Sequence, residues 1–195
     1  MAADTLESCD DAVLMRRFQN GDAASFELIY TRHERALYRF LLHQTGNNVG
    51  LAEDLAHDVW VKVIKSSERY APSAQFRTFL FHIAHNRLID HFRAKGERLE
   101  SLDEEDEDGQ TLLENLVDGE YCQPCDHVAR QQAAQRLRQC IQKLPAKQRE
   151  VFLLKEESEL SLTEVSELIG VSFEAVKSRM RYALDKLRLC VGLER

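Results

Sequence analysis

The side chains with the most evident chemistry lie on one face of a segment near the C-terminus. At helical spacing, Lys177, Ser178, Arg181 and Tyr182 fall on the same side as Glu174. Ammonium, guanidinium and hydroxyl groups bind phosphates and the edges of bases through hydrogen bonds, without covalent chemistry. This face therefore predicts a surface that binds nucleic acid.

Local signals define the elements that position this face. Ser161 and Glu164 have the spacing of a capping box, which predicts that a helix starts there. Gly170 is suited to end it, and Ser172 can cap a second helix that carries the basic face. A helix, a glycine turn and a helix with a basic outer face are typical of a helix-turn-helix DNA reader. A plain helical hairpin in a bundle is the alternative, since it has the same spacing.

A second candidate surface spans residues 76–95. The segment carries a net charge of +3 and four phenylalanines. Cations that bind phosphate and rings that stack on unpaired bases are the chemistry of single-stranded nucleic-acid binding. The alternative is a core helix whose aromatic rings are all buried. The spacing gives this predicted helix an outer face of His82, Asn86 and Arg93, with Phe79 and Ile89 beside them.

The histidines and cysteines offer a weaker case for a metal or redox site. His82 and His85 stand three residues apart without a matching acid or Cys, and Cys122 and Cys125 form a single CxxC motif with no preceding strand. We therefore expect no metal, no cofactor and no catalytic constellation, so the chain is not predicted to be an enzyme. The five cysteines, an odd number at irregular spacing, are expected to be reduced thiols.

Composition favours a soluble helical protein whose charge is unevenly distributed along the chain. Of 195 residues only three are proline and eight are glycine. Few runs alternate apolar and polar residues as a half-buried strand would. The net charge is −7, yet residues 97–120 alone hold eleven acids and one base. The acidic N-terminus does not resemble a signal peptide, and no apolar run reaches membrane-spanning length. We therefore expect a cytoplasmic protein without membrane insertion.

The predicted fold class is all-α, with two small helical domains joined by a flexible acidic linker and a helix-turn-helix in the second domain. The predicted boundaries are 10–96, 97–125 and 126–191. Helices are expected from residue 10 to 45 with a break at Gly21-Asp22, from the turn at 46–50 to Ser66, and from Phe76 to Lys95. A helix capped by Asp126 and ended by Pro145 precedes a further helix in the second domain. The side chains expected to face the core include Leu14, Phe18, Phe26, Ile29, Tyr30, Leu37, Phe40, Leu41, Leu55, Val59, Val63, Leu137, Ile141, Leu144, Val151, Phe152 and Leu154.

The ordered segments together resemble the extracytoplasmic-function group of sigma-70 family RNA polymerase sigma factors. The resemblance rests on LMRRFQNGDAASFELIYTRH, AEDLAHDVWVKVIK, FRTFLFHIAHNRLIDHFR and LPAKQREVFLL followed by the helix-turn-helix. It implies that the first domain docks on core RNA polymerase and reads and melts the promoter −10 element, and that the second domain reads the −35 element. Core polymerase and promoter DNA are the implied partners, together with an anti-sigma factor, and no small-molecule substrate is implied.

The resemblance also assigns site residues. For the −35 element these are Arg149, Ser172, Lys177, Ser178, Arg181 and Tyr182. For reading and melting the −10 element they are Arg77, Thr78, Phe79, His82, Asn86, Arg87 and Arg93, near a base pocket formed partly by the 66–75 loop. For polymerase binding they are Asp54, Asp58, Val59 and Lys62.

Three hypotheses remain open at the sequence level. Besides a sigma factor, the chain could be a stand-alone helix-turn-helix regulator, which would need neither the 76–95 surface nor a docking helix. The third is a metal- or thiol-dependent enzyme built on His82, His85, Cys122 and Cys125. The acidic run in the linker is expected either to mimic nucleic acid in polymerase channels or to act as a solubilising spacer.

Overall fold

The structure, a computed structural model, describes residues 9–70, 75–96 and 127–192 and, within the last range, side chains from residue 133 onward. These residues form eight α-helices and one short 3-10 turn, with no strand among them, so the predicted all-α fold is confirmed. The acidic linker, Asp126, Cys122 and Cys125 lie outside the described residues. The helices are α1 Asp11–Gln19, α2 Ala23–Gln44, α3 Val49–Ser66, α4 Phe76–Ala94, α5 His127–Gln142, α6 Ala146–Ser158, α7 Leu162–Ile169 and α8 Phe173–Val191, with the 3-10 turn at Ser67–Arg69.

Helices α1 to α4 pack around an aromatic and aliphatic core. The predicted break between α1 and α2 is present, with Gly21 at φ 95° and Asp22 capping α2. Rings join the helices in pairs: Phe18 to Phe26 at 4.8 Å and Phe40 to Phe81 at 5.4 Å between centroids. Burial of such side chains is the main source of stability here.

An ionic cluster fastens the first helix to the second. Asp11 accepts a hydrogen bond from Arg32 at 2.7 Å and lies 2.6 Å from Nε2 of His33, which is almost fully buried. Burial raises the pKa of Asp11, but the hydrogen bonds from His33 and Arg32 outweigh it, so the pKa lies below its usual value. The carboxylate is therefore ionised at neutral pH and holds α1 against α2.

Helices α5 to α8 form the second group, with α6 packed on α8. Leu153, Leu154, Val165, Val176 and Ala183 are at most 1% exposed and make up its centre. A disulfide between Cys140 on α5 and Cys190 on α8 joins two helices that are far apart in sequence. The expectation that all five cysteines are reduced is thus wrong for this pair, because the fold brings the two thiols together.

Two of the side chains expected in the core, Tyr30 and Leu137, are exposed. Tyr30 is 39% exposed and lies against Trp60, with ring centroids 5.0 Å apart. Leu137 is 41% exposed, since Cys140, Ile141 and Leu144 supply the buried side of α5. Phe152 is only partly buried. The turn expected at 46–50 is shorter than expected: Asn48 caps α3, which starts at Val49.

Among the described residues, no helix is both long enough and apolar enough to cross a membrane.

Candidate nucleic-acid interface

The helix-turn-helix is built from the local signals in its sequence. Ser161 and Glu164 form both hydrogen bonds of a capping box at the start of α7. Gly170 ends that helix at φ 70°, in the left-handed region that favours glycine. The Ser172 hydroxyl then accepts from the Ala175 backbone N–H at 3.3 Å and starts α8. These predicted caps are confirmed, and they fix the direction in which α8 leaves the turn.

The outer face of α8 carries the predicted −35 residues. Ser172 is exposed, and Lys177, Ser178, Arg181 and Tyr182 are half-buried. The Arg181 guanidinium lies over the Tyr182 ring, 4.9 Å from its centroid. Such stacking limits the motion of the guanidinium.

Arg149 stands apart from this face. It lies on α6, half-buried, and its Nη1 donates to the carbonyl oxygen of Gln142 at the end of α5, at 3.3 Å. Burial lowers the pKa of Arg149. Its Nε has no hydrogen-bond partner among the described residues. The side chain therefore has a structural contact to α5, besides any contact to phosphate.

The sequence reasoning missed Phe173 at the start of α8. Phe173 is 44% exposed, although it is large and apolar, and Glu174 beside it is also exposed. In helix-turn-helix proteins the first residues of the recognition helix contact base edges, and an aromatic ring can contact a thymine methyl group. The spacing gave no signal for it, because Phe173 lies three residues before Val176 and seven before Met180 and so continues the apolar stripe of the helix.

An aromatic wall lies at the start of α4, beside the end of the 3-10 turn. The Tyr70 ring is 5.2 Å from Phe79 and 6.2 Å from Phe76, between centroids. Gln19 of α1 donates to the carbonyl oxygens of Ser67 and Tyr70, which fixes the chain entering the 66–75 loop. Phe79 is half-buried, so one part of its ring stays available for stacking. Residues 71–74 of that loop lie outside the described residues.

The other predicted −10 residues divide into separate groups. His82, Asn86 and Arg93 are exposed, and the Asn86 amide lies 3.1 Å from Nδ1 of His82. Arg87 donates twice to one carboxylate oxygen of Asp58 on α3, at 2.9 and 2.6 Å. This pair joins a predicted −10 residue to a predicted polymerase contact.

Arg77 and Thr78 contact the other group of helices. Arg77 forms an ion pair with Glu159, which follows α6, and Thr78 donates to Glu164 of α7 at 3.1 Å. The hydrogen bond from Arg77 lowers the pKa of Glu159. The hydrogen bonds with Ser161 lower the pKa of Glu164, with a smaller effect from Thr78. Both carboxylates are therefore ionised at neutral pH.

The predicted polymerase contacts on α3 are not all on the surface. Asp54 and Lys62 are exposed and Asp58 is half-buried. Val59 is fully buried, so its assignment as a polymerase contact is wrong. The reason is its spacing: Val59 lies one turn from Leu55 and one turn from Val63, and all three belong to the core side of the helix.

The histidines on α4 do not share a site. His82 faces Asn86, whereas His85 is buried with its Nδ1 2.9 Å from a carboxylate oxygen of Glu150 on α6. Within the ranges that the structure covers, no group of three or more His, Cys, Asp or Glu side chains is arranged to hold a metal ion.

Comparison with known proteins places both helical groups in one family. The family model described as Sigma-70 region 2 matches residues 29–98, and that described as Sigma-70, region 4 matches residues 134–187. The chain is 30% identical to the ECF RNA polymerase sigma factor SigW of Bacillus subtilis over 177 residues, covering 89% of this chain and 92% of the relative. It is also 30% identical to the ECF RNA polymerase sigma factor RpoE of Cereibacter sphaeroides over 189 residues, covering 95% and 97%.

Solved structures share the fold. The sigma factor RpoE, in complex with the anti-sigma factor NepR from Bartonella quintana, superimposes with a TM-score of 0.63 at 20% identity, covering 87% of this chain and 98% of that one. CnrH, in complex with the cytosolic domain of CnrY, gives a TM-score of 0.64 at 22% identity and covers 95% and 99%. With two family regions in order and two relatives matched over nearly their whole length, the chain belongs to the ECF group of sigma-70 family RNA polymerase sigma factors.

Proposed function

We propose that this protein binds core RNA polymerase and directs it to promoters whose −35 and −10 elements it reads. The observation that carries the proposal is that one chain holds two helices with different exposed surfaces, each suited to a different form of DNA. Helix α8 has the exposed N-terminal turn of a duplex reader, and α4 combines exposed polar groups with an aromatic wall. A stand-alone regulator would need only the first.

Helix α8 reads duplex DNA at the −35 element. Lys177, Ser178 and Arg181 supply donors for base edges and phosphates, and Phe173 offers an apolar contact to thymine. The other predicted residues of this surface are Ser172 and Tyr182. Arg149 lies on α6 and is hydrogen-bonded to the end of α5. It contributes positive charge toward the phosphate backbone of the DNA and sets the register of the domain on the duplex.

Helix α4 reads and opens the −10 element. Phe79, supported by Tyr70, stacks on an unpaired base, which offsets the lost stacking of the duplex. His82, Asn86 and Arg93 lie exposed along the helix and contact the separated strand. Arg77, Thr78 and Arg87 complete this surface, but each is engaged by a carboxylate in the structure described here.

Helix α3 docks on core polymerase through Asp54, Asp58 and Lys62. Because Asp58 accepts from Arg87, docking and promoter opening share one ion pair. The polymerase supplies the chemistry of transcription, and the chain itself catalyses no reaction. In this proposal, residues 10–96 form the docking and −10 domain, residues 126–191 form the −35 domain, and the acidic segment 97–125 follows polymerase channels. An anti-sigma factor is a further proposed partner, as in the solved complex of the sigma factor RpoE with the anti-sigma factor NepR.

Run-off transcription with core polymerase on a randomised promoter library tests the proposal. A sigma factor selects two conserved elements and starts transcription, whereas a duplex-binding regulator enriches one element and starts none. Lys177→Ala should weaken selection of the upstream element. Lys186→Ala is the matched control, since it removes the same charge from the opposite side of α8. If core polymerase with this protein gives no more transcript than core polymerase alone, the proposed function is wrong.

A further inference from the structure

A carboxylate lies at the start of the helix that is proposed to read duplex DNA. Glu174 is in the first turn of α8, and its side chain is exposed, as are those of Ser172 and Phe173 before it. Among the residues that the structure describes, none forms a hydrogen bond or an ion pair with this carboxylate, and Lys177 one turn later is no exception. The side chain is therefore available to an external partner.

Glu164 illustrates a first-turn glutamate with a structural role. Its carboxylate accepts hydrogen bonds from the backbone N–H and the hydroxyl of Ser161, at 2.8 and 2.7 Å. At the start of α8 the Ser172 hydroxyl accepts from the Ala175 N–H, but Glu174 makes no return bond to the cap. The helix dipole favours an acid in the first turn, yet it does so on every side of the helix. Local structure thus does not explain why the acid lies on this side.

The position of Glu174 is unfavourable for a group that approaches DNA. At helical spacing it lies on the same side of α8 as Lys177, Ser178 and Arg181. The N-terminal residues of a recognition helix enter the major groove and contact base edges. A carboxylate there is repelled by the phosphates, so it lowers the affinity for every sequence. Its presence on this surface is useful only if it discriminates among bases.

The base edges in the major groove differ in how they meet a carboxylate. Cytosine presents its N4 amino group as a donor. Guanine presents two acceptors, thymine presents an acceptor and a methyl group, and adenine places the N7 acceptor next to its amino group. A carboxylate can only accept, so cytosine is the base that it binds without facing another acceptor on the same base.

We infer that Glu174 is a specificity-determining residue, which accepts a hydrogen bond from the amino group of a cytosine in the −35 element and repels DNA that lacks this donor. The inference rests on the proposed function and names one base that the −35 surface selects. Phe173 sharpens the discrimination, because an exposed apolar ring beside the carboxylate keeps water from compensating for a wrong base. The acid lowers overall affinity and raises selectivity.

Selection of bound duplexes from a pool randomised over the upstream element tests this role. The full chain is used with core polymerase, and single base-pair changes in the selected duplex then measure the discrimination at each position. Glu174→Ala removes both the acceptor and the charge, whereas Glu174→Gln removes the charge, keeps an acceptor and adds a donor. Glu167→Gln is the matched control, since it removes the same charge from an exposed site on α7.

The parent should select cytosine at one position of the upstream element. Glu174→Ala should reduce that preference by about 5- to 20-fold, at the lower end of the cost of one mismatched base pair. Its affinity for duplexes with another base there should rise by about two- to fivefold, because a repelling charge is gone. Glu174→Gln should shift the preference toward adenine, since an amide pairs with N6 and N7 of that base. Glu167→Gln should keep the selection of the parent.

A purely structural role gives a different pattern. If Glu174 only stabilises the start of α8, Glu174→Ala lowers the unfolding temperature of the second domain and weakens binding to all duplexes equally, which would overturn the inference. A parent that selects no cytosine, or a Glu174→Ala variant with unchanged selection, would overturn it as well. Selection of a cytosine-containing element without promoter-specific transcripts would instead contradict the proposed function alone.

Discussion

The two helices proposed to contact DNA, α4 and α8, differ in how much of their predicted DNA surface is exposed. The capping Ser172 and the first residues of α8, Phe173 and Glu174, are exposed, and the buried side of that helix packs on α5, α6 and α7 of its own domain. The first residues of α4, Arg77 and Thr78, are half-buried and bonded to the other domain. One surface is therefore open in the described structure, and the other is partly covered.

This difference fits the role proposed for each surface. A duplex reader can be preformed, because the major groove exists before binding. A surface that holds unpaired bases competes with base pairing, and an exposed row of cations and rings would bind any single strand. Covering α4 until the polymerase is in place would restrict that binding to promoters.

Thermal unfolding should show the largest difference between the two domains. The disulfide closes a loop with a sequence separation of 50, which in the chain-entropy estimate stabilises the second domain by about 4 kcal/mol. Cys190→Ser should lower the unfolding temperature of that domain in non-reducing buffer and leave the first domain unchanged. Calorimetry with and without a reducing agent measures this. Cys9→Ser is the control, and equal curves for Cys190→Ser and the parent in non-reducing buffer would contradict the expectation.

Phe79→Ala tests the covered surface. Base–aromatic stacking contributes about 1–3 kcal/mol per base, so open-complex formation should fall by about 5- to 150-fold while closed-complex binding stays nearly constant. Permanganate reactivity of unpaired thymines measures opening, and a filter-binding assay measures the closed complex. Phe92→Ala truncates another half-buried ring of the same helix. Equal losses for both variants would show that the effect comes from helix stability.

Arg181→Ala tests the open surface. Loss of a base contact should weaken −35 recognition by about 1–3 kcal/mol and relax sequence preference at one position. Selection from a randomised −35 library measures both, with Lys186→Ala as the charge-matched control. A uniform loss on all sequences would instead make Arg181 a phosphate contact.

The smallest expected effect is a pH dependence of the contact between the two domains. Burial, and then the charges of Arg138 on α5, Arg149 on α6 and Arg39 on α2, lower the pKa of His43. The packed arrangement of the two domains therefore disfavours protonated His43, and the contact should weaken as the pH falls through the usual histidine value of about 6.5 toward the lowered one. The radius of gyration should rise over that interval.

Two variants separate the contribution of His43 from that of other groups. His43→Gln cannot take up a proton and should remove the rise, whereas His57→Gln, on the exposed side of α3, should keep it. A rise that persists in His43→Gln would assign the pH dependence to other groups.

The sequence predicted the parts of the fold that depend on neighbouring residues. The caps at Ser161 and Ser172 and the stop at Gly170 follow from steric and hydrogen-bonding preferences within a few residues. Val59 shows how the same periodicity corrects an assignment taken from family resemblance. Its spacing from Leu55 and Val63 already placed it in the core.

The contacts between distant segments could not be predicted from the sequence. Arg77 and Glu159 are 82 residues apart, and no pattern connects them. Cys140 and Cys190 likewise carry no motif, and their pairing depends on how α5 packs against α8. These contacts between distant segments depend on tertiary packing and are visible only once the helices are placed.

The disulfide also determines the outcome when a single peptide bond of the second domain is cleaved. Residues 141–189, which include all of α7 and α8 as far as Leu189, lie between the two bonded cysteines. A protease that cuts one peptide bond in this interval leaves two fragments that remain covalently joined. The nicked protein should migrate as one band without a reducing agent and as two bands with it, and its DNA-reading helices should survive a cut that would release them from an uncrosslinked chain.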